Sequence, residues 1–391
     1  MPNETRAARY HRARVRAGAG ALAASLLVLV ACGPWAAGAW LAAGLQRMTA
    51  GWPLGEAAGT AIFAAIVLVM AHAARYPFER HRDWALDQRY GLARTALAVW
   101  TRAQVRAVAA GITVGVAAAL VVRATWVWAG AGWWIAAAAL CFAAHLTWTV
   151  GAPLLLTVFG GLRPLRRPSL AARLDALTRR AGATVAVREW RGGDDSTRAH
   201  AALAGLGRTR QIILSDTLVD TLGDEEIEVV VAHELAHHVH GDVWRAAAWR
   251  LIALTLTLGA AAAALWWLGA PLGAWPLLPS TDRTWSAAPS SVPWLSLAAA
   301  VALVAHRLLD PIGLALSRRR ELAADAFAVR LTGGADAFIT SMRRLSQTNL
   351  VDDEPPRLAR VLSSHPPVRD RVMAALRHAE HAAAATARVR P

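Results

Sequence analysis

His233-Glu-Leu-Ala-His237 sits inside DEEIEVVVAHELAHHVHGD, residues 224–242, and the rest of the chain is read from it. Asp224 and Glu225 suit the positive end of a helix dipole. Ile227, Val230, Val231, Leu235 and Val239 carry a helical run without Pro or Gly as far as Gly241. Residues four apart share a helix face, so His233 and His237 can present two imidazoles to one metal ion. Glu234 lies beside the first of them, within reach of a water at that ion. His238 and His240 fall off that face and read as a polar helix end.

Composition sets the surroundings. Of 391 residues, 55% are hydrophobic, and the mean hydropathy is +0.33. That suits a membrane protein carrying a smaller polar domain. The net charge is +15 and every basic residue is Arg, which excludes a P-loop lysine, a Ser-x-x-Lys nucleophile and a Schiff-base lysine. The arginines flank apolar segments, the pattern of positive-inside anchoring and not of a nucleic-acid surface. Nucleic acid is therefore not expected as a partner. Cys32 and Cys141 both lie in apolar stretches, so no disulfide framework and no cysteine zinc site can be built. Leu29-Val-Ala-Cys32 resembles a lipoprotein cleavage box, but apolar sequence continues well beyond it, and Cys32 reads as a small residue within a span.

Six apolar runs are long enough to span a bilayer, at about 18–45, 57–74, 107–128, 133–159, 249–270 and 294–309. Gly33-Pro34 is expected to kink the first, and Asp310-Pro311 the last. The Arg-rich, aromatic segment 75–106 reads as an amphipathic loop lying on the membrane surface. Thr184–Trp190, Ala199–Leu206 and Gln211–Ser215 read as strands, Gly192–Ser196 as a turn, and Leu170–Ala181 as a helix. The chain thus divides into five parts. Residues 1–160 form a membrane region of four spans, and 161–248 an α+β region with the motif helix. Residues 249–316 hold two spans and an exposed loop at 271–293. A helical region follows at 317–382, and a disordered tail at 383–391. The Arg-rich segments 1–16, 75–106, 160–248 and 318–391 all fall on one side of six spans, which places the motif helix on the cytoplasmic side of a cell membrane.

Two histidines leave a catalytic zinc one protein ligand short. Glu321, in SRRRELAADAFAVRL, is the best candidate, although taken in isolation it reads as a helix N-terminal charge. Asp325 falls one turn later, placed either to accept from a ligand histidine or to pair with an arginine.

PFERHRDWALDQRYGLAR, GLGRTRQIILSDTLVD, HELAHHVHGD, SRRRELAADAFAVRL and SSHPPVRDRV occur in this order between about residues 76 and 376. Together they resemble the integral-membrane zinc metallopeptidase family of the type I CAAX prenyl endopeptidases and the bacterial HtpX-like proteases, and are nearer the CAAX type. The resemblance implies a mainly α, polytopic transmembrane bundle with a gluzincin-like zinc peptidase domain containing a small β-sheet. It implies one zinc ion per chain, held by His233, His237 and Glu321, with Asp325 supporting a ligand histidine. Glu234 would be the general base, His365 would stabilise the oxyanion or the substrate, and Arg371 would line or brace the site. His200-Ala201-Ala202 stands where CAAX-type relatives carry Asn-Ala-aromatic, on the edge strand that holds substrate backbone by strand addition. The eukaryotic CAAX enzymes have seven spans against six here.

The function expected is a membrane-embedded zinc endopeptidase cutting peptides or membrane proteins near the cytoplasmic surface. A signalling receptor built on such a domain would need a sensor domain, and only a loop of about twenty residues lies outside. A non-catalytic scaffold would tolerate a broken ligand set, and this set is intact. A transporter could use Arg123, His145 and Arg307, which read instead as groups lining the bundle or snorkelling at its edges.

Overall fold

The structure is a computed structural model that describes residues 5–158, 161–190, 197–269 and 292–389. The N-terminal helices are α1 (Arg6–Ala31), α2 (Ala36–Thr49), α3 (Gly55–Arg80), α4 (Leu86–Tyr90), α5 (Leu97–Ala129) and α6 (Trp133–Val158). A polar unit follows, built from β1 (Leu162–Arg163), α7 (Pro168–Arg180), β2 (Ala186–Trp190), β3 (Ala201–Ala204), β4 (Gln211–Ser215), α8 (Asp216–Thr221) and α9 (Asp224–Val239). The chain then runs through α10 (Asp242–Gly269), α11 (Val292–Thr332), α12 (Ala335–Asn349), α13 (Arg357–Val361) and α14 (Val368–Val389).

Five segments are long and apolar enough to cross a membrane. The longest, Leu97–Val158, contains both α5 and α6, which fold back on each other with Trp126 stacked on Trp133 at 5.5 Å. The long apolar helices among the described residues are therefore α1, α3, α5, α6, α10 and α11, in agreement with six spans.

The first apolar run differs from the expected kinked span. It breaks at Cys32–Trp35 into α1 and the 14-residue α2, which is too short to cross a bilayer by itself. Pro34 lacks an N–H and Gly33 has the freedom to end the helix. Cys32 packs with Leu29, Ala42, Phe63 and Val67, the environment of an ordinary small core residue.

Segment 75–106 is not a surface loop. Backbone hydrogen bonding continues from α3 through Pro77, a π-turn at His81–Ala85 and α4, and α5 begins at Leu97, ten residues before the apolar stretch does. Hydropathy marks only the part of a helix that faces lipid, whereas the backbone ladder carries on into the interface. Likewise α11 runs unbroken through Pro311 for 41 residues and leaves the apolar layer at Arg318-Arg319-Arg320. The terminal helix reaches Val389, so the tail expected to be disordered is helical up to there. The turn at Gly192–Ser196 and nearly all of the loop at 271–293 fall outside the described residues.

The sheet has four strands in the order β1-β2-β4-β3, one more than the sequence suggested. β2 and β4 are parallel, β3 and β4 antiparallel, and β3 forms an edge. In α7 the apolar residues Leu170, Leu174 and Leu177 fall on one face at helical spacing, and all three are buried. They join Ile212, Leu214, Leu218, Ile227, Val231 and Leu235 in one core. Phe338 and Met342 of α12 and Ala375 of α14 belong to the same core. Stretches 161–248 and 317–382, separate in sequence, thus fold as one body around α9.

Candidate metal centre

The helix that carries the motif is fixed at both ends. At its start Glu226 accepts from the Gly223 N–H at 2.8 Å, and Asp224, Glu225 and Glu226 face the helix N-terminus. Val229, Val231, Ala232, Leu235 and Ala236 are buried, so the helix is gripped by packing along its length. At its end Gly241 adopts φ +68°, a conformation that costs a Cβ-bearing residue, and the chain turns directly into α10.

His233 and His237 leave α9 on one face, with ring centroids 5.0 Å apart. Glu321 comes to them from the far end of α11. One donor atom from each of the three lies within 4.8 Å of the other two. His233 Nε2 is 3.3 Å from Glu321 Oε2, and His237 Nε2 is 3.6 Å from Glu321 Oε1. Three nitrogens, from His233, His365 and Arg371, lie 3.3, 2.8 and 3.9 Å from the buried Glu321 Oε2. A buried carboxylate facing the imidazole nitrogens of two helix-borne histidines is a donor set that fits a divalent cation with a preference for N and O ligands.

Each histidine is held through its other nitrogen. His233 Nδ1 lies 2.9 Å from Asp325 Oδ1, and Arg371 grips Asp325 with Nη2 at 2.6 Å and Nε at 2.8 Å. Asp325 is 1% exposed, so breaking this pair would strand a buried charge. His237 Nδ1 lies 2.9 Å from Asp242 Oδ2. Arg320 in turn donates to the Asp242 carbonyl at 3.3 Å. Burial opposes a charge on His233, but the bond to Asp325 and the nearby Glu321 outweigh it and hold the imidazole up to about 9. Burial likewise opposes the Arg371 charge, and Asp325 and Glu321 raise its pKa above the usual range.

Glu234 points to the edge strand, where its Oε2 accepts from the Leu203 N–H at 2.9 Å. The His200 carbonyl accepts from Ser215 N–H at 2.9 Å, so His200 and Ala202 direct their backbone groups to β4. Ala201 and Leu203 face the open edge. His365 enters from the loop before α14, with Nδ1 2.8 Å from Glu321 Oε2 and an exposed ring. Of the residues singled out in the sequence, His233, His237, Glu321, Asp325, His365 and Arg371 lie together here, Glu234 reaches the strand at Leu203, and His200 is turned to Ser215 of β4. Asp242 and Leu203 were not read from sequence. Asp242 is five residues from His237, off any helical face, and only the turn at Gly241 returns it.

Residues 164–380 match the profile of peptidase family M48, and residues 3–157 match one described as CAAX prenyl protease N-terminal, five membrane helices. The second stretch here holds α1, α3, α5, α6 and the short α2. The protease HtpX homologue of Streptococcus uberis is 28% identical over 40% of this chain and 55% of its own length. The uncharacterized metalloprotease YhfN of Bacillus subtilis is 26% identical over 46% of this chain and 40% of its own. The chain thus spans about half the length of these curated relatives. Among solved structures, that of Ste24p from S. mikatae superposes with a TM-score of 0.67 at 17% identity, covering 86% of this chain and 79% of that one, which shows a shared fold. With more than half its length in one profile and the membrane helices in the other, the chain belongs to peptidase family M48 and is an integral membrane protein.

Proposed function

We propose that this chain is a membrane-embedded zinc endopeptidase that hydrolyses peptide bonds of peptides or membrane proteins at the cytoplasmic surface. The observation that carries the reading is the convergence of His233, His237 and Glu321 beside Glu234, each histidine braced by a carboxylate. One zinc ion held by these three residues would supply Lewis-acid polarisation of the scissile carbonyl and of a water molecule. Glu234 takes a proton from the attacking water and returns it to the leaving amine. Its Oε2 holds the Leu203 N–H, Oε1 can take the proton, and the outward-facing Ala201 backbone can pair with substrate backbone along the β3 edge. His365, on the exposed side of Glu321, donates towards the oxyanion. Asp325 with Arg371, and Asp242 with Arg320, fix the ring orientations and take no proton.

Replacing Glu234 by Gln is expected to leave zinc at one per chain and to abolish cleavage of unfolded casein by the full-length protein in detergent. Undiminished cleavage in that variant, measured beside its zinc content by mass spectrometry, would refute the mechanism.

A further inference from the structure

β3 is a four-residue strand with a single neighbour, so few ladder bonds set its position. The four residues that lead into it are each pinned. The Thr197 N–H donates to the Leu92 carbonyl at 3.3 Å and its hydroxyl to the Gly91 carbonyl at 3.2 Å. Arg198 Nη2 reaches both oxygens of Asp87, at 2.9 and 3.0 Å, and Tyr10 Oη at 2.5 Å. Asn349 clamps Ala199 as a strand would, accepting from its N–H and donating to its carbonyl, both at 2.9 Å. His200 is bonded to Ser215 through both its N–H and its carbonyl.

The anchor of this lead-in belongs to the membrane region. Asp87, on α4, is buried, and besides Arg198 it accepts from the Tyr10 hydroxyl of α1 at 2.6 Å and from Arg14 at 3.2 Å. Its partners come from 73, 77 and 111 residues away. A buried carboxylate satisfied by donors from two parts of the fold resists displacement, because pulling either part away leaves a charge without a partner. Four residues beyond Ala199 and its Asn349 clamp, at the second outward-facing position after it, the Leu203 N–H meets Glu234.

We propose that Asp87, Arg198 and Tyr10, with Asn349, are positioning residues that set the edge strand β3 against the zinc helix, so that the membrane helices fix the strand to which substrate backbone pairs. The inference rests on reading β3 as the substrate strand. Substrate backbone held on β3 is held in both the ground state and the transition state, so a displaced strand weakens binding more than it slows chemistry.

The full-length protein in detergent provides the test, with Asp87→Asn, Arg198→Met, Arg198→Lys and Asn349→Ala compared with wild type. Three quantities are read: zinc per chain, kcat and KM on unfolded casein, and amide exchange of residues 201–204 against 211–215. Asp87→Asn and Arg198→Met are expected to raise KM by about tenfold or more while kcat stays within about threefold and zinc stays bound. Exchange at 201–204 is expected to quicken while 211–215 keep their protection, and Arg198→Lys is expected to recover most of both effects. Unchanged KM with unchanged exchange overturns the proposal. So does loss of zinc and of protection across the whole polar unit, which marks a merely structural cluster. Should Asp87→Asn not fold, Arg198→Met and Asn349→Ala decide the matter alone. Should the wild type leave casein intact, the peptidase reading fails by itself, and the exchange of residues 201–204 still settles whether the cluster positions the strand.

Discussion

Asp242 shows how much a single side chain beyond the motif contributes. Its carboxylate fixes the His237 ring so that Nε2 faces Glu321. Losing a partner of this kind typically costs a metal site ten- to a hundredfold in affinity, on the order of 1–3 kcal/mol. Asp242→Ala is therefore expected to weaken zinc binding by about that factor in a chelator competition. An unchanged affinity would assign the orientation of His237 to packing alone. His233 adds a pH dependence. Held up to about 9 in the metal-free protein, it carries a proton at pH 7, and that proton must leave before Nε2 can bind a cation. Zinc affinity is expected to rise with pH by about tenfold per unit from neutrality and to level off above about 9. Calorimetry in buffers of different ionisation enthalpy would register the proton released. Affinity independent of pH between 7 and 9 would contradict it.

At the scale of elements, the joint between α9 and α10 matters most. A Cβ placed on Gly241 would meet no atom within 4 Å, so the cost of replacing it is conformational and not steric. A non-glycine residue at φ +68° costs about 1–2 kcal/mol. Gly241→Ala is expected to lower the melting temperature and, by shifting Asp242, to weaken zinc binding. Gly241→Asn should be tolerated better, because Asn enters the left-handed region more readily. Equal melting temperatures for wild type and Gly241→Ala would show that the turn relaxes at no cost. The helices α3 and α11 carry a related lesson. Each outlasts its apolar stretch, and the extensions carry residues of the proposed site: α3 continues through the π-turn to Asp87, and α11 reaches Glu321 and Asp325. Their extent was hidden in sequence because a water-facing helix and an Arg-rich surface loop share a composition.

For the molecule as a whole, the Arg-rich segments gather at one end of the bundle. Arg6 donates to the Tyr90 carbonyl, Arg14 pairs with Asp83 and Asp87, and Arg198 joins the same cluster from the polar unit. At the opposite end Trp126, Trp133, Leu265 and Trp294 pack together. By the positive-inside tendency the arginine end, and the metal centre with it, is proposed to face the cytoplasm. Reporter enzymes fused after residue 280 and after residue 391 test this: activity of an exported phosphatase is expected only at the first position. The reverse pattern would turn the topology over.

The sequence by itself determined the motif helix, the six apolar helices, three of the four strands and the five segments that identify the family. These are carried by spacing within a window of a few residues, where helical and strand periodicity are direct consequences of backbone geometry. Only the tertiary structure decided which groups complete them. The turn at Gly241 gives His237 its carboxylate, and strand pairing leaves Ala201 and Leu203 on the open edge. Burial brings Asp87 to Tyr10 and Arg198, 77 and 111 residues away. A local pattern says which face of an element is apolar. It does not say which distant face it meets, because that is set by packing the whole chain around one core.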